Sequence, residues 1–289
     1  MDQDLVHRMK SIRQTVQISS AQKLVAAAQI GKARKLLYDS NSYHNTVSRV
    51  IADILRHCPE VASRYLKPCR DGCGRRGILV LSANKGLAGG FNSNIVHFTE
   101  ASVAGNPATY MIVLGQGRST FIKEGLPVDQ DYDQPLEPPT MFTARELAEK
   151  VTGLLDNGKL DSFDVIYTEY KTAVKQEVAL RRLFPLDPSS FTGEFDEEFH
   201  KGHYSFEPSP EHVLHFAIVK YVKGYLYGCL IHTWLCELTA RVTAMENAIR
   251  NGNEMLDRLS LIYNRARQAS ITQEITEIVA GAAAMVTEE

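Results

Sequence analysis

Residues 228–266 run GCLIHTWLCELTARVTAMENAIRNGNEMLDRLSLIYNRA, and their reading decides the fold. Alternating steps of three and four residues from Gly228 land on Ile231, Leu235, Leu238, Val242, Met245, Ile249, Gly252, Leu256, Leu259, Tyr263 and Ala266. That spacing is the seam of a coiled-coil helix, with apolar or small residues recurring about every 3.5 positions. No proline interrupts it. All 11 prolines lie between Pro59 and Pro210, and residues 1–58 and 211–289 contain none. Proline lacks an N–H and clashes with the turn before it, so proline-free stretches of this length are where long helices survive.

The N-terminal stretch carries a second seam. Leu5, Met9, Ile12, Val16, Ser19, Lys23, Ala26, Ile30, Ala33, Leu37, Ser40, His44, Val47, Ile51, Ile54 and Cys58 keep one heptad register, apolar at both ends and small or polar around Ser19–Ala26. Two sustained seams in one chain predict that each helix covers the other. Residues 211–287 would span about 115 Å as a helix. A compact globule of this length is only about 50 Å across, so such a helix is expected to protrude. Gly224, Gly228, Gly252 and Gly281 each lower its propensity by about 1 kcal/mol relative to Ala, in exchange for close helix approach on the seam.

If the helices run antiparallel, the C-terminal one is longer by about 23 residues, or roughly 35 Å, and its overhang begins near Asn264. The pattern changes there. The next seam positions, Ser270, Gln273 and Glu277, are polar, and the apolar residues move to Ile271, Ile275, Ile278, Ala282 and Met285. From Ile278 to Val286 the helix is apolar on every face and has no charge before Glu288. A helix apolar all round needs a cover, and nine such residues are too few to cross a bilayer, so a sleeve of other chains is expected.

Between the helices, Gly77–Ala83 reads as a buried strand, Asn84–Gly90 as a glycine-containing loop, and a helix is expected from about Asn92. Tyr110–Leu114 and Phe163–Tyr170 read as further strands, and Ala144–Leu155 as a helix. Alternating strands and helices imply a small parallel or mixed sheet. The predicted organisation is therefore residues 1–58 as a helix, 59–210 as an inserted α/β domain and 211–289 as a second helix.

Candidate chemistry is sparse. Gly86-Leu87-Ala88-Gly89-Gly90 sits where a phosphate loop would, but it is neither G-x-G-x-x-G nor a P-loop, and tight-turn packing accounts for its glycines. Cys69 and Cys73, with His57 and Cys58 upstream, make a single C-x-x-x-C pair, a poor zinc signature, although a redox disulfide is open to it. Cys229, His232 and Cys236 would share one helix face, where packing is the simpler account. No nucleophile, metal set or acid–base pair stands out, and no cofactor is expected. A net charge of −2 argues against a nucleic-acid binder held by global charge. Five cysteines, an odd and sparse set, and no window of 18 apolar residues fit a cytoplasmic chain without a membrane span.

The run Ala240-Arg241-Val242-Thr243-Ala244-Met245-Glu246-Asn247-Ala248, followed by residues 263–282 (YNRARQASITQEITEIVAGA), closely resembles the gamma subunit of F-type ATP synthases. Gly86–Ile95, Lys10-Ser11-Ile12 and Lys23–Ala28 match the same family, so the resemblance covers the chain in order. It implies an antiparallel coiled coil of the terminal helices with an inserted Rossmann-like α/β domain. It also implies a rotor that turns inside a hexamer of alpha and beta subunits and performs no bond chemistry itself. Implied partners are the alpha, beta, delta and epsilon subunits and the membrane c-ring. Association with the cytoplasmic face of an energy-transducing membrane would then run through the complex alone, with no nucleic-acid or direct nucleotide binding.

Carried over position by position, the resemblance assigns Lys23, Arg267, Gln268, Thr272 and Glu274 to beta-subunit contacts. Ile275, Ile278, Val279, Met285 and Val286 fall on the apolar bearing tip, and Tyr204, Phe206 and Glu207 on the foot near epsilon and the c-ring. The chain departs from the family's usual pattern at Ser19-Ser20, at Gln22, where methionine is usual, and at Ala83-Asn84-Lys85. The chloroplast regulatory cysteine insert is not recognisable, so no such control is transferred to Cys69 and Cys73. A static coiled-coil scaffold, a divergent paralogue with other partners and a nucleotide-binding enzyme with helical arms are the competing readings.

Overall fold

The computed structural model describes residues 2–66, 74–132, 138–191 and 205–286. Helix α1 (Asp2–His57) and helix α5 (Pro210–Val286) bracket β1 (Arg76–Leu81), α2 (Phe91–Gly105), β2 (Tyr110–Leu114), α3 (Gly117–Lys123), α4 (Met141–Asp156), β3 (Ser162–Tyr170) and β4 (Gln176–Phe184). Contacts divide the chain into two units, Met1–Ala26 with Val242–Glu289, and Ala27–Arg241.

In the first unit the two helices pack antiparallel. Val16 lies against Gly252, and Lys23, seven residues later, meets Glu246. A Cβ on Gly252 would stand 2.5 Å from Val16 Cγ2, so this glycine admits the valine as a knob. Every seam position from Leu5 to Ala26 and from Val242 to Ala266 is buried or half-buried. After Ala266 all residues through Ala280 are exposed, which puts the start of the uncovered helix, Arg267, three residues past the expected Asn264.

In the second unit the same antiparallel pairing brings Ser40 to Gly228, Tyr43 to Gly224 and the His44 ring within 4.6 Å of Tyr221. The mixed sheet has the order β2-β1-β3-β4, parallel except for β4, which runs antiparallel to β3. All six residues of β1 are buried, as expected for a central parallel strand covered on both faces. Alternation along the strands sends Leu79, Leu81, Ile112 and Val165 to one face, with Leu147 and Val151 of α4, Ile51 and Ile54 of α1, and Ile218, Val222 and Leu226 of α5. Ile78, Val80, Met111, Val113 and Ile166 meet Phe91 and Ile95 of α2, Phe121 of α3 and Cys236 of α5 on the other.

Two elements escaped the sequence reading. α3 is seven residues long, too short for a periodic signal. β4 carries Glu177, Arg181 and Arg182, yet it pairs along β3, where Arg181 reaches Glu169 and Arg182 reaches Asp164 across the strands. Asp164 is fully buried between Arg182 and Arg76, whose Nε is 2.6 Å away, and Arg76 is itself only 5% exposed. Removing one partner of a buried ion pair leaves an unpaired charge without water. Asp164→Ala is therefore expected to cost about 3–5 kcal/mol in denaturant unfolding of the purified chain. Gly115 has φ +88, and a Cβ there would sit 2.2 Å from the Ser82 carbonyl oxygen. Gly115→Ala is expected to lower stability by about 2 kcal/mol or more, read in the same experiment.

Candidate subunit-contact surfaces

The exposed end of α5 is built on two faces. At about 100° per residue, Ile271, Ile275, Ile278 and Val279 fall within one stripe about 100° wide, while Ser270, Gln273, Thr276 and Glu277 lie opposite. The four apolar side chains are 46%, 57%, 71% and 61% exposed, so no other described residue of the chain covers them. Arg267 and Glu274 border the stripe on one side, and Gln268 and Thr272 lie along the other. All four are exposed. Thr272 Oγ1 donates to the Gln268 carbonyl oxygen at 2.8 Å, and Ser270 Oγ donates to Glu274 Oε1 at 3.3 Å, so hydroxyls of the helix itself orient this collar. Met285 and Val286 continue the helix, but their side chains lie outside the described residues, as does Tyr204.

Lys23 is placed differently from its neighbours. Its Nζ is 2.7 Å from Glu246 Oε1, so it turns along the seam towards α5. The outward positions on that part of α1 belong to Ile18, Leu24 and Val25, 60%, 70% and 60% exposed. The sequence carried a signal for them: apolar residues off the seam have no partner within a two-helix coil. At the other end of the chain, Glu207 is exposed and Phe206 packs partly buried against the sheet core, so the foot assignment contains one anchoring and one accessible side chain.

The glycine loop has the position of a phosphate site without either phosphate-binding motif. Asn92 Oδ1 accepts from the Ala83 N–H at 2.8 Å, Ser82 Oγ accepts from the Gly117 N–H at 3.0 Å, and the Gln116 N–H donates to the Ala83 carbonyl at 2.9 Å. These bonds tie the end of β1 to the starts of α2 and α3. The adjoining cleft, of about 820 Å³, is lined by Asn92, His97, Glu100, Gln116, Ser119 and Glu124 among others. Loss of hydration, together with the hydrogen bond and charge of Glu100, holds the Glu124 carboxyl above its usual range.

The two buried thiols of α5 are poor nucleophiles. Cys229 and Cys236 are buried and unoxidised, and burial pushes both thiols up, away from the reactive thiolate. Cys69 and Cys73 lie outside the described residues. Among the described residues no group of three His, Cys, Asp or Glu side chains is arranged to hold a metal ion, and no helix is long and apolar enough to cross a membrane.

A family model described as ATP synthase matches residues 2–285. The chain is 39% identical to the ATP synthase gamma chain of Ruminiclostridium cellulolyticum over 98% of both proteins. The chain belongs to the ATP synthase gamma chain family. It is also 37% identical to the gamma chain of Acetivibrio thermocellus, covering 96% of this chain and 97% of that one. Among solved structures, a chain of the Euglena gracilis mitochondrial ATP synthase superposes with a TM-score of 0.68 at 17% identity, over 98% of this chain and 94% of that one. A chain of the central stalk and c-ring of the Tetrahymena thermophila enzyme gives 0.59 at 20% identity, over 80% and 99%. At these identities the structures show a shared fold, with the terminal helices and small mixed sheet in common.

The family assignment leaves the role of Lys23 to be tested. Lys23→Glu and Glu246→Lys are each expected to lower coil stability by about 0.5–1 kcal/mol, and the charge-exchanged double variant to regain most of it. Thermal melting of the four proteins of that cycle reads the coupling. Independent effects would return Lys23 to an outward role.

Proposed function

We propose that the chain is the central-stalk rotor subunit of an ATP synthase, coupling transmembrane ion flow to ATP synthesis or hydrolysis at beta-subunit sites by rotation. The observation that carries the reading is the exposed end of α5, an apolar stripe bordered by an oriented polar collar with no cover from its own chain. Such a surface requires a partner that encloses it. Membership of the gamma chain family names the alpha and beta subunits as that enclosure, and delta, epsilon and the c-ring as the remaining partners.

The chain performs no bond chemistry in this reading. Its work is a difference of binding free energies: a rigid, off-axis helix presents different side chains to each beta subunit as it turns, favouring a closed conformation in one and an open one in the next. Arg267, Gln268, Thr272 and Glu274 supply the polar contacts, and Ile275, Ile278, Val279, Met285 and Val286 the apolar bearing. Lys23 adds a beta-subunit contact from α1, and Tyr204, Phe206 and Glu207 serve the foot near epsilon and the c-ring. We divide the working parts into residues 1–58, 59–210 and 211–289, a helix, an inserted foot domain and a second helix. The subunit sits peripherally on the cytoplasmic face of the membrane, held there by the complex. In this reading the chain binds no nucleotide itself, in keeping with a glycine loop that carries neither phosphate-binding motif.

Purification from its own cells is expected to bring down alpha, beta and epsilon subunits; a homodimer free of them overturns the rotor reading. Gln268→Ala combined with Glu274→Ala is expected to leave assembly intact and to slow ion-driven ATP synthesis by about tenfold, the effect of roughly 1.4 kcal/mol of lost differential contact. Unchanged synthesis in that variant removes the collar assignment. Truncation after Glu277 is expected to lower the thermal stability of the isolated complex.

A further inference from the structure

Strand β1 accompanies β3 only as far as Ile166, which pairs with Val80. Beyond that point the edge of β3 that faced β1 has lost its strand partner, while β4 continues on the other side to Tyr170. Residues two apart in a strand direct their backbone groups to the same edge. Thr168 and Tyr170 therefore present a carbonyl and an N–H where β1 has ended, and a buried sheet edge must find partners.

Helix α5 provides them. Cys236 Sγ donates to the Thr168 carbonyl oxygen at 3.6 Å, and the Tyr170 N–H donates to His232 Nδ1 at 3.1 Å. His232 and Cys236 are one helical turn apart, matching two residues of extended strand closely enough for both bonds to form. The His232 ring also lies against Tyr167, with centroids 5.9 Å apart. Helix α1 reaches the same residue from the other direction. Arg34 Nη2 donates to Tyr170 Oη at 3.0 Å, with its guanidinium 5.9 Å from the ring centroid. One strand-end residue thus ties both long helices to the sheet.

We infer that the His232–Tyr170–Arg34 tie is the linkage through which torque passes between the α/β domain and the two helices, and that it holds only while His232 is neutral. The inference rests on the rotor reading: a rotor driven at its foot needs a joint at which domain and helices do not slip. Nδ1 can accept a hydrogen bond only when it carries no proton. A charged imidazolium would set N–H against N–H and break the bond to Tyr170.

The groups around His232 favour the neutral ring. Burial lowers its pKa below the ordinary value, with the Glu169 carboxylate working in the opposite direction. Arg181 of β4 pairs with Glu169 at 3.2 Å and offsets part of that charge. Tyr167 and Tyr170 face the ring from β3, Arg34 approaches from α1 through Tyr170, and Cys229 and Cys236 flank it on its own helix. Because the folded-state pKa is depressed, the tie is intact at neutral pH and is lost as pH falls through the lowered value.

The test uses three variants. His232→Leu removes the acceptor. His232→Asn keeps an acceptor, Oδ1, near the place of Nδ1 but cannot titrate, and Arg34→Ala releases α1. In the assembled complex in vesicles, the ratio of ions pumped to ATP hydrolysed is expected to fall at least about twofold in His232→Leu and Arg34→Ala, and to stay native in His232→Asn. A pH dye and radiosodium uptake, read in parallel, cover either coupling ion. Stepwise acidification from about pH 7.5 downward through the lowered His232 value is expected to lower the ratio in the native complex but not in His232→Asn, which separates this ring from His44, also lowered by burial. Native ratios in both His232→Leu and Arg34→Ala complexes overturn the linkage while leaving the rotor reading intact. Deuterium exchange at the end of β3 in the purified chain reads the tie itself. About fivefold faster exchange is expected in His232→Leu and none of that gain in His232→Asn. Equal exchange in all of them overturns the tie, whether or not the complex assembles.

Discussion

An amphipathic helix has one apolar stripe and cannot cover it by itself, and the structure depends on how that requirement is met by α1 and α5. In each of the two units the stripe of one helix is the cover for the other, with Val16 seated against Gly252 in the first and Ser40 against Gly228 in the second. Seam glycines cost helix propensity, yet at Gly252 a larger side chain would collide with Val16. Close approach is the return on that cost. Where α1 ends its cover, after Ala266, the requirement remains, and the apolar stripe through Ile271, Ile275 and Ile278 stays exposed. The same constraint that builds the coil therefore creates the surface that calls for other subunits.

The sheet obeys a parallel rule, in that buried polar groups are paired inside the chain. Asp164 is held between Arg76 and Arg182, and the N–H groups of Ala83 and Gly117 are taken by Asn92 and Ser82. The free edge of β3 is satisfied by His232 and Cys236 of α5, so the pairing that completes the sheet also fastens it to a helix. Stability and mechanical connection are the same hydrogen bonds at this joint.

Much of this was legible in the residues. The two heptad registers named positions that are all buried or half-buried, because a seam repeating every third and fourth residue leaves no other face to bury. Tyr110–Leu114 was found to the residue, since a short apolar run between turn residues has few other readings. β4 was not found. Its Glu177, Arg181 and Arg182 look like a solvated stretch until Glu169 and Asp164 appear across the strand pair. Lys23, assigned to a beta-subunit contact by resemblance, also meets Glu246, a partner more than two hundred positions away in the chain. The collar residues were legible as polar positions on the uncovered helix, whereas the orienting bond from Ser270 to Glu274 needed a rotamer that no pattern supplies.

What the sequence by itself determined is local: which stretches are helical, which face each helix must bury, where the seam's polarity changes and where a strand is apolar on both sides. Those properties follow from backbone geometry and side-chain spacing, which act over a few residues. The tertiary structure alone decided which polar groups meet. That His232 would accept from Tyr170, that Arg34 would grip the same tyrosine, and that Ser82 would accept from the Gly117 N–H depend on contacts between residues distant in the chain. Hydrogen bonds are short-ranged and directional, so they exist only once packing has brought their ends together.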